Sequence, residues 1–166
     1  MKRETCDSCG NEVKVVTGNY RFDEVGLPVL LKNIELINCK ECGTAEPIIP
    51  DVNGLMHVIA FAVAAHPCRL KGAEVRFLRK FLGMNGDEFS NLVDIDRTTL
   101  SKWENDQQEI GKHSDRLIRF LAMAKSADLR KQIEQFMEKY GELTGRHSPR
   151  RSQLKIDSET LEYEYA

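Results

Sequence analysis

The sequence predicts a mainly α chain with a small N-terminal metal-bound β domain and a C-terminal bundle of short helices. Three observations predict it. Two Cys-x-x-Cys-Gly repeats, Cys6-Asp7-Ser8-Cys9-Gly10 and Cys39-Lys40-Glu41-Cys42-Gly43, enclose strand-like segments. Capped segments of helical periodicity fill residues 70–125. Between the two lies an apolar stretch stopped by Pro67. The expected division is 1–50 for the metal-binding domain and 51–69 for a connecting helix and linker. Residues 70–125 follow as the helical bundle, and 126–166 as an amphipathic helix with a flexible tail.

In each Cys-x-x-Cys pair, two thiolates of one tight turn can point at a single centre. Glycine at the next position permits a left-handed backbone that turns nearby N–H groups toward sulfur. Two such turns, through Cys6, Cys9, Cys39 and Cys42, supply four soft ligands in a tetrahedron, the arrangement Zn2+ prefers. A structural zinc ion is therefore expected. Iron fits the same ligand set. Disulfides are the first competing reading, disfavoured in a reducing cytosol. A redox Cys-x-x-Cys is the second, but it needs only one pair. Four thiolates leave no open coordination position, so the site is expected to stabilise a segment too short for its own core. Such sites contribute on the order of 10 kcal/mol of apparent binding free energy.

Between the pairs, Glu12–Thr17 and Asn19–Phe22 have strand character and flank Gly18, and Ile34–Asn38 leads into the second cysteine turn. Two hairpins gripping a metal are expected. Pro47 and Pro50 bracket Ile48 and Ile49, and Asp51 can cap the next element. From Leu55 to Ala65 the chain is apolar on nearly every face until Pro67 ends it. A packed linker helix is the first reading and a self-association surface the second. Cys68, His57 and His66 receive no metal role, because four cysteines complete the site.

From Ala73 to Leu82, Val75, Leu78, Phe81 and Leu82 recur at helical spacing, and Gly83 fits a stop. Asn85 and Glu88 form a capping box for a second helix with Phe89, Leu92 and Val93 inward. After Asp94-Ile95, Asp96 caps a third helix, residues 97–104, with Ile95, Leu100 and Trp103 as its core side. Arg97, Thr98, Thr99, Ser101 and Lys102 remain on faces free to meet a partner. A further helix starts near Ser114, with Leu117, Ile118 and Leu121 inside. Two short helices joined by a tight turn, the second with polar and basic residues early, suit docking in the DNA major groove.

The segment from Gly86 to Asn105, ending Ser101-Lys102-Trp103-Glu104-Asn105, resembles the Cro/C1-type (XRE) helix-turn-helix signature. Preceded by the two cysteine turns and by Leu70-Lys71-Gly72-Ala73-Glu74-Val75-Arg76, the order of parts over residues 4–125 resembles MqsA-like proteins. These join a YgiT-type zinc finger to a helix-turn-helix. The resemblance implies a lambda-repressor-like helical bundle. It also implies base reading by Thr98 and Lys102, and backbone contacts by Arg97, Thr99 and Ser101. Further implications are a homodimer on palindromic double-stranded DNA and a zinc domain that binds a toxin protein. The chain departs from the pattern at Gly86, Asp94 and Asp96, where Gln, Gly and Ser are common.

Leu129, Ile133, Phe136, Met137 and Tyr140 give residues 127–140 an amphipathic pattern that fits a dimerisation stripe or a piece of core. Residues 145–151 form a basic linker, and 159–166 a solvated acidic tail. Charge is uneven: residues 111–150 are net basic, while the chain as a whole carries −2. A uniformly basic nucleic-acid coat is thereby excluded, and any attraction for DNA is local. No apolar run nears the roughly 20 residues that span a bilayer, and the first residues lack a signal-peptide core. A cytoplasmic or nucleoid-associated protein without membrane contact is expected. No phosphate-cradling glycine loop, His-Glu-x-x-His or Gly-x-Ser-x-Gly occurs, so no catalytic residues and no enzyme are expected. Three functions fit: a zinc-containing DNA-binding repressor, an antitoxin that masks a small ribonuclease and autoregulates its operon, and a transcription adaptor without its own operator.

Overall fold

Alternating polarity and β-branched residues set the first long element. Strand β1 (Lys14–Phe22) pairs antiparallel with β2 (Val29–Asn38), from Lys14 opposite Asn38 to Phe22 opposite Val29. A single 3-10 turn, Asp23–Val25, follows β1. This is a computed structural model, and it describes residues 5–125, 153–157, 160 and 162–165.

The expectation of two hairpins is corrected here. Gly18 is no hairpin corner. The strand runs through it, and the register slips between Gly18 and Tyr20. The extra residue sits on β2, where Asn33 takes a φ of 55°. Asparagine tolerates this left-handed backbone better than most residues, and the bulge re-aims the far half of β2. Beyond it, β3 (Ala45–Pro47) pairs antiparallel with Leu36–Asn38. Before it, β4 (Leu154–Asp157) runs parallel to Val29–Lys32 on the same edge. Strand β5 (Tyr163–Tyr165) then pairs antiparallel with β4. Asn33 Nδ2 donates to Asp157 Oδ2 at 2.8 Å and pins β4 at the bulge. Phe22, Val29, Leu31, Ile34, Leu36, Leu154 and Ile156 are the buried side chains of this sheet.

The acidic tail of 159–166, expected to be solvated, therefore contributes strand β5. Among the described residues the fold is a five-stranded mixed sheet together with five helices, more mixed than the mainly α chain expected. The amphipathic pattern of 127–140 and the basic linker of 145–151 lie outside the described residues.

Helix α1 (Val52–Ala65) starts where Asp51 Oδ1 accepts the Gly54 N–H at 2.8 Å. Helices α2 (Gly72–Leu82), α3 (Gly86–Leu92), α4 (Arg97–Glu104) and α5 (Lys112–Ala124) follow. The chain divides into two compact units. One holds the residues up to Glu24, Pro28–Leu55 and the C-terminal strands; the other holds Val25–Leu27 and the chain from Met56 through α5. The division falls between Leu55 and Met56, inside α1, and the C-terminal strands group with the N-terminal ones. No helix among the described residues is long and apolar enough to cross a membrane.

The helical unit is built around Ile59, Val63, Val75, Leu78, Phe89, Leu100 and Ile118, all buried. Arg119 is 1% exposed, and its guanidinium closes the end of α1. It donates to the carbonyls of Ala64 and His66 at 2.7 Å and of Cys68 at 2.6 Å. Asp115 pairs with it at 2.9 Å and accepts the Leu70 N–H at 2.8 Å. Nearly every polar atom of this buried ion pair is hydrogen-bonded, the condition for tolerating charge inside a protein. Two expected inward positions are instead exposed: Leu117 at 38% and Leu92 at 44%.

Candidate functional site

The two cysteine turns fold alike because they spell the same local pattern. In the first, the Cys6 N–H donates to the Asn11 carbonyl and the Gly10 N–H to the Cys6 carbonyl, both at 2.8 Å. In the second, Cys39 N–H reaches the Thr44 carbonyl at 2.9 Å and Gly43 N–H the Cys39 carbonyl at 3.0 Å. Gly10 and Gly43 hold φ of 73° and 74°, which closes both turns at little strain. A Thr5–Glu12 bridge shuts the first turn, and the β2–β3 pairing shuts the second.

All four sequence-predicted sulfur atoms come together, within 4.8 Å of one another. Cys6 Sγ lies 3.6 Å from Cys42 Sγ, and Cys9 Sγ 3.5 Å from Cys39 Sγ. No disulfide joins them. Cys6 and Cys39 are buried against Val13 and Ile37, while Cys9 and Cys42 face outward. Four thiols from two facing turns fit one metal ion.

The thiols are not equivalent. The Thr44 hydroxyl, 3.1 Å from Cys42 Sγ, and then the Thr44 N–H draw the Cys42 thiol down to about 6. At Cys9 the Asn11 N–H pulls downward, but the Cys39 thiol, burial and the Cys42 thiol outweigh it and raise the group to about 11. Cys42 thus gives up its proton readily, while Cys9 holds on to its own. A cation that binds all four must displace those protons, so loading is favoured as pH rises. Asn11 and Thr44, which donate toward sulfur, are not among the ligands read from the sequence. Their signal is positional: each stands two places after the second cysteine of its turn.

The second candidate site is the outward face of α4. Asn85 Oδ1 accepts the N–H groups of Asp87 and Glu88, and Glu88 Oε2 accepts the Asn85 N–H, so α3 begins with the expected capping box. Between α3 and α4, Asp94 sits at a φ of 54°. Aspartate accepts that conformation, which explains how the turn forms without glycine. Asp96 then caps α4, accepting the Thr99 N–H at 2.7 Å and the Thr99 hydroxyl at 2.6 Å. The Thr99 hydroxyl holds Asp96 below its ordinary range.

Arg97, Thr98, Ser101 and Lys102 are exposed on α4, opposite buried Leu100 and Trp103. Thr99 is half-buried, with its hydroxyl committed to the cap. Arg97 Nε lies 3.3 Å from Asp87 Oδ1, and the Arg97 guanidinium occupies the space that a side chain at Gly86 would fill. The far end of α4 is clamped to α2. Arg79 Nε donates to Glu104 Oε1 at 2.6 Å, and Arg76 Nη2 to the Glu104 carbonyl at 2.9 Å. Gly72 allows this approach: a Cβ there would lie 2.6 Å from the carbonyl oxygens of both Trp103 and Glu104. Sequence reading takes Arg76 and Arg79 only as polar residues between apolar positions. Nothing in the spacing pairs them with Glu104, 28 and 25 residues on.

The fold and these two sites define a class: a chain with a four-cysteine metal turn pair and a capped pair of short helices presenting a polar face. No family model, curated protein or solved structure matches the chain.

Proposed function

We propose that the protein is a sequence-specific DNA-binding transcriptional regulator of repressor type with one structural zinc ion. The observation that carries the reading is the exposure of Arg97, Thr98, Ser101 and Lys102 on one face of a helix whose other face is anchored by Leu100, Trp103 and Glu104. A rigid rod with free polar and basic side chains is what a groove about 12 Å wide admits. With α3 and α4 as a helix-turn-helix, Thr98 and Lys102 read bases, while Arg97 and Ser101 meet the sugar–phosphate backbone.

Zinc suits the cysteine cluster on distance. Zn–S bonds of about 2.3 Å in a regular tetrahedron give sulfur separations of about 3.8 Å, close to the 3.5 and 3.6 Å between facing cysteines. Cys6, Cys9, Cys39 and Cys42 would hold the ion, which supplies folding energy and no reaction.

A homodimer on an inverted repeat is part of the proposal, with recognition helices about 34 Å apart. Phe120, 53% exposed, and Leu117 supply an apolar outer face on α5 suited to such pairing. Selection from random duplex DNA tests the reading. The wild-type chain should enrich a half-site repeat, and Lys102→Ala should lose preference at one position, by about 1–3 kcal/mol. Recovery of no sequence by the wild-type chain, or of the same sequence by the variant, overturns it.

A further inference from the structure

The outward side of α4 carries a set of donors and methyl groups that decides which bases it can read. The buried side chains Leu100, Trp103 and Glu104 mark one side of this rod. At roughly 3.6 residues per turn, Thr98 and Lys102 fall within about 30° of the opposite direction. Arg97 and Ser101 project to one flank, and the Arg97 guanidinium lies back against Asp87. Thr98 and Lys102 are exposed, and among the described residues no hydrogen bond or ion pair engages either side chain. Both are free to meet a base edge.

In the major groove each base edge calls for a different partner. Cytosine offers an N–H that a carboxylate accepts, and adenine a donor and an acceptor that a free amide matches. The outward line of α4 supplies neither. Asp96 is turned back onto Thr99. Glu104 is held by Arg79. The Asn105 amide donates to the Ser101 carbonyl at 2.8 Å, and its oxygen accepts from Arg76 at 3.1 Å. What remains is the Lys102 ammonium, which only donates, and the Thr98 hydroxyl with its methyl group. Guanine presents two acceptors, O6 and N7, which suit an ammonium. Thymine presents a C5-methyl, which suits the methyl of threonine.

We infer that Lys102 reads a guanine and Thr98 a thymine in each half-site of the bound DNA. The assignment rests on α3 and α4 acting as a helix-turn-helix, as proposed above. Four residues of helix rise about 6 Å, and successive bases of a strand lie about 3.4 Å apart. With the helix lying along the groove, the two bases therefore stand about two steps apart.

The probe is the duplex that the metal-loaded full chain selects from random DNA, remade with 7-deazaguanine at each guanine and with uracil at each thymine in turn. 7-Deazaguanine lacks the N7 acceptor, and uracil lacks the C5-methyl. One guanine of each half-site should respond, its replacement weakening wild-type binding about fivefold or more. One thymine should respond by about threefold or more. Lys102→Ala should be indifferent to 7-deazaguanine at that guanine, and Thr98→Ser to uracil at that thymine. Lys102→Gln, whose amide matches adenine, should prefer adenine in place of that guanine, a gain that a misfolded chain cannot show. Recovery of no sequence by the wild-type chain overturns the helix-turn-helix reading and this assignment together. A selected sequence that lacks either response, or in which a response persists in its variant, overturns the assignment alone. So does a Lys102→Gln chain that keeps guanine.

Discussion

Replacing Gly72 with alanine tests the seam between α2 and α4 most directly. An added Cβ would stand 2.6 Å from two backbone oxygens, those of Trp103 and Glu104. Real Cβ atoms essentially never approach nearer than 3.0 Å, so the gap must open by at least 0.4 Å. Neither oxygen can swing aside, because both belong to helical backbone held by Arg76, Arg79 and the Asp106–Gly72 hydrogen bond. The expected cost is that of overpacking, about 1–3 kcal/mol. For a unit of this size each kcal/mol lowers the midpoint by about 4–8 °C. Gly86→Ala is the comparison. Its Cβ would also meet atoms, but these are the guanidinium of exposed Arg97, which can move. That change should cost less than about 0.5 kcal/mol. Thermal and urea unfolding followed by Trp103 fluorescence measures both. If Gly72→Ala unfolds like the parent chain, or Gly86→Ala is the more damaging, the account of the seam is wrong.

Three further outcomes are expected. Arg119→Ala removes the cap of α1 and leaves the Asp115 carboxylate without its buried partner. A loss of about 3–5 kcal/mol should appear in denaturant unfolding. Asp96 titrates below its ordinary value of 3.8 because the Thr99 hydroxyl and N–H bind its charged form. Its capping contribution is therefore complete above 3.8 and fades as pH falls through the depressed folded value. The Thr99 amide, followed by NMR, should stay protected to lower pH than a free aspartate would allow, and Asp96→Asn should abolish that dependence. Chelation, or Cys39→Ser, should unfold the sheet-bearing unit while the helical far-ultraviolet signal persists. Elemental analysis of the untreated chain should give one metal ion per chain.

The parts that were legible in the sequence are those written in short range. Each cysteine turn is specified by six consecutive residues, and two copies of one pattern announce one centre. The capping box of Asn85 and Glu88 and the cap by Asp96 each span four consecutive residues, so they too can be read directly. What escaped is non-local. Strand β4 pairs with β2 across more than a hundred residues, and a four-residue strand among charged neighbours carries no periodicity strong enough to announce itself. Glu104 reads as the polar end of a helix until Arg79 is found beside it. Arg119 reads as solvated in a basic stretch, whereas its guanidinium fills the carbonyl end of α1. Leu117 and Leu92 stand at helical spacing from buried residues, but each falls on the edge of its apolar stripe. The continuation of the strand through Gly18 is not legible in the sequence, because its register slip is absorbed on the opposite strand, at Asn33.

The sheet is discontinuous in sequence, and this orders its assembly. All four thiols stand within the first 42 positions, so a metal ion can bind before the helices exist. The helices depend mainly on near neighbours and can form as they are made. Strand β4 can close onto β2 only after both events, by a contact spanning 124 positions between Asn33 and Asp157. Until then Val29 and Leu31 lie along an uncovered edge prone to wrong pairing. A nascent chain halted before residue 154 would thus carry its cysteine turns and its helices yet remain the form most prone to aggregate.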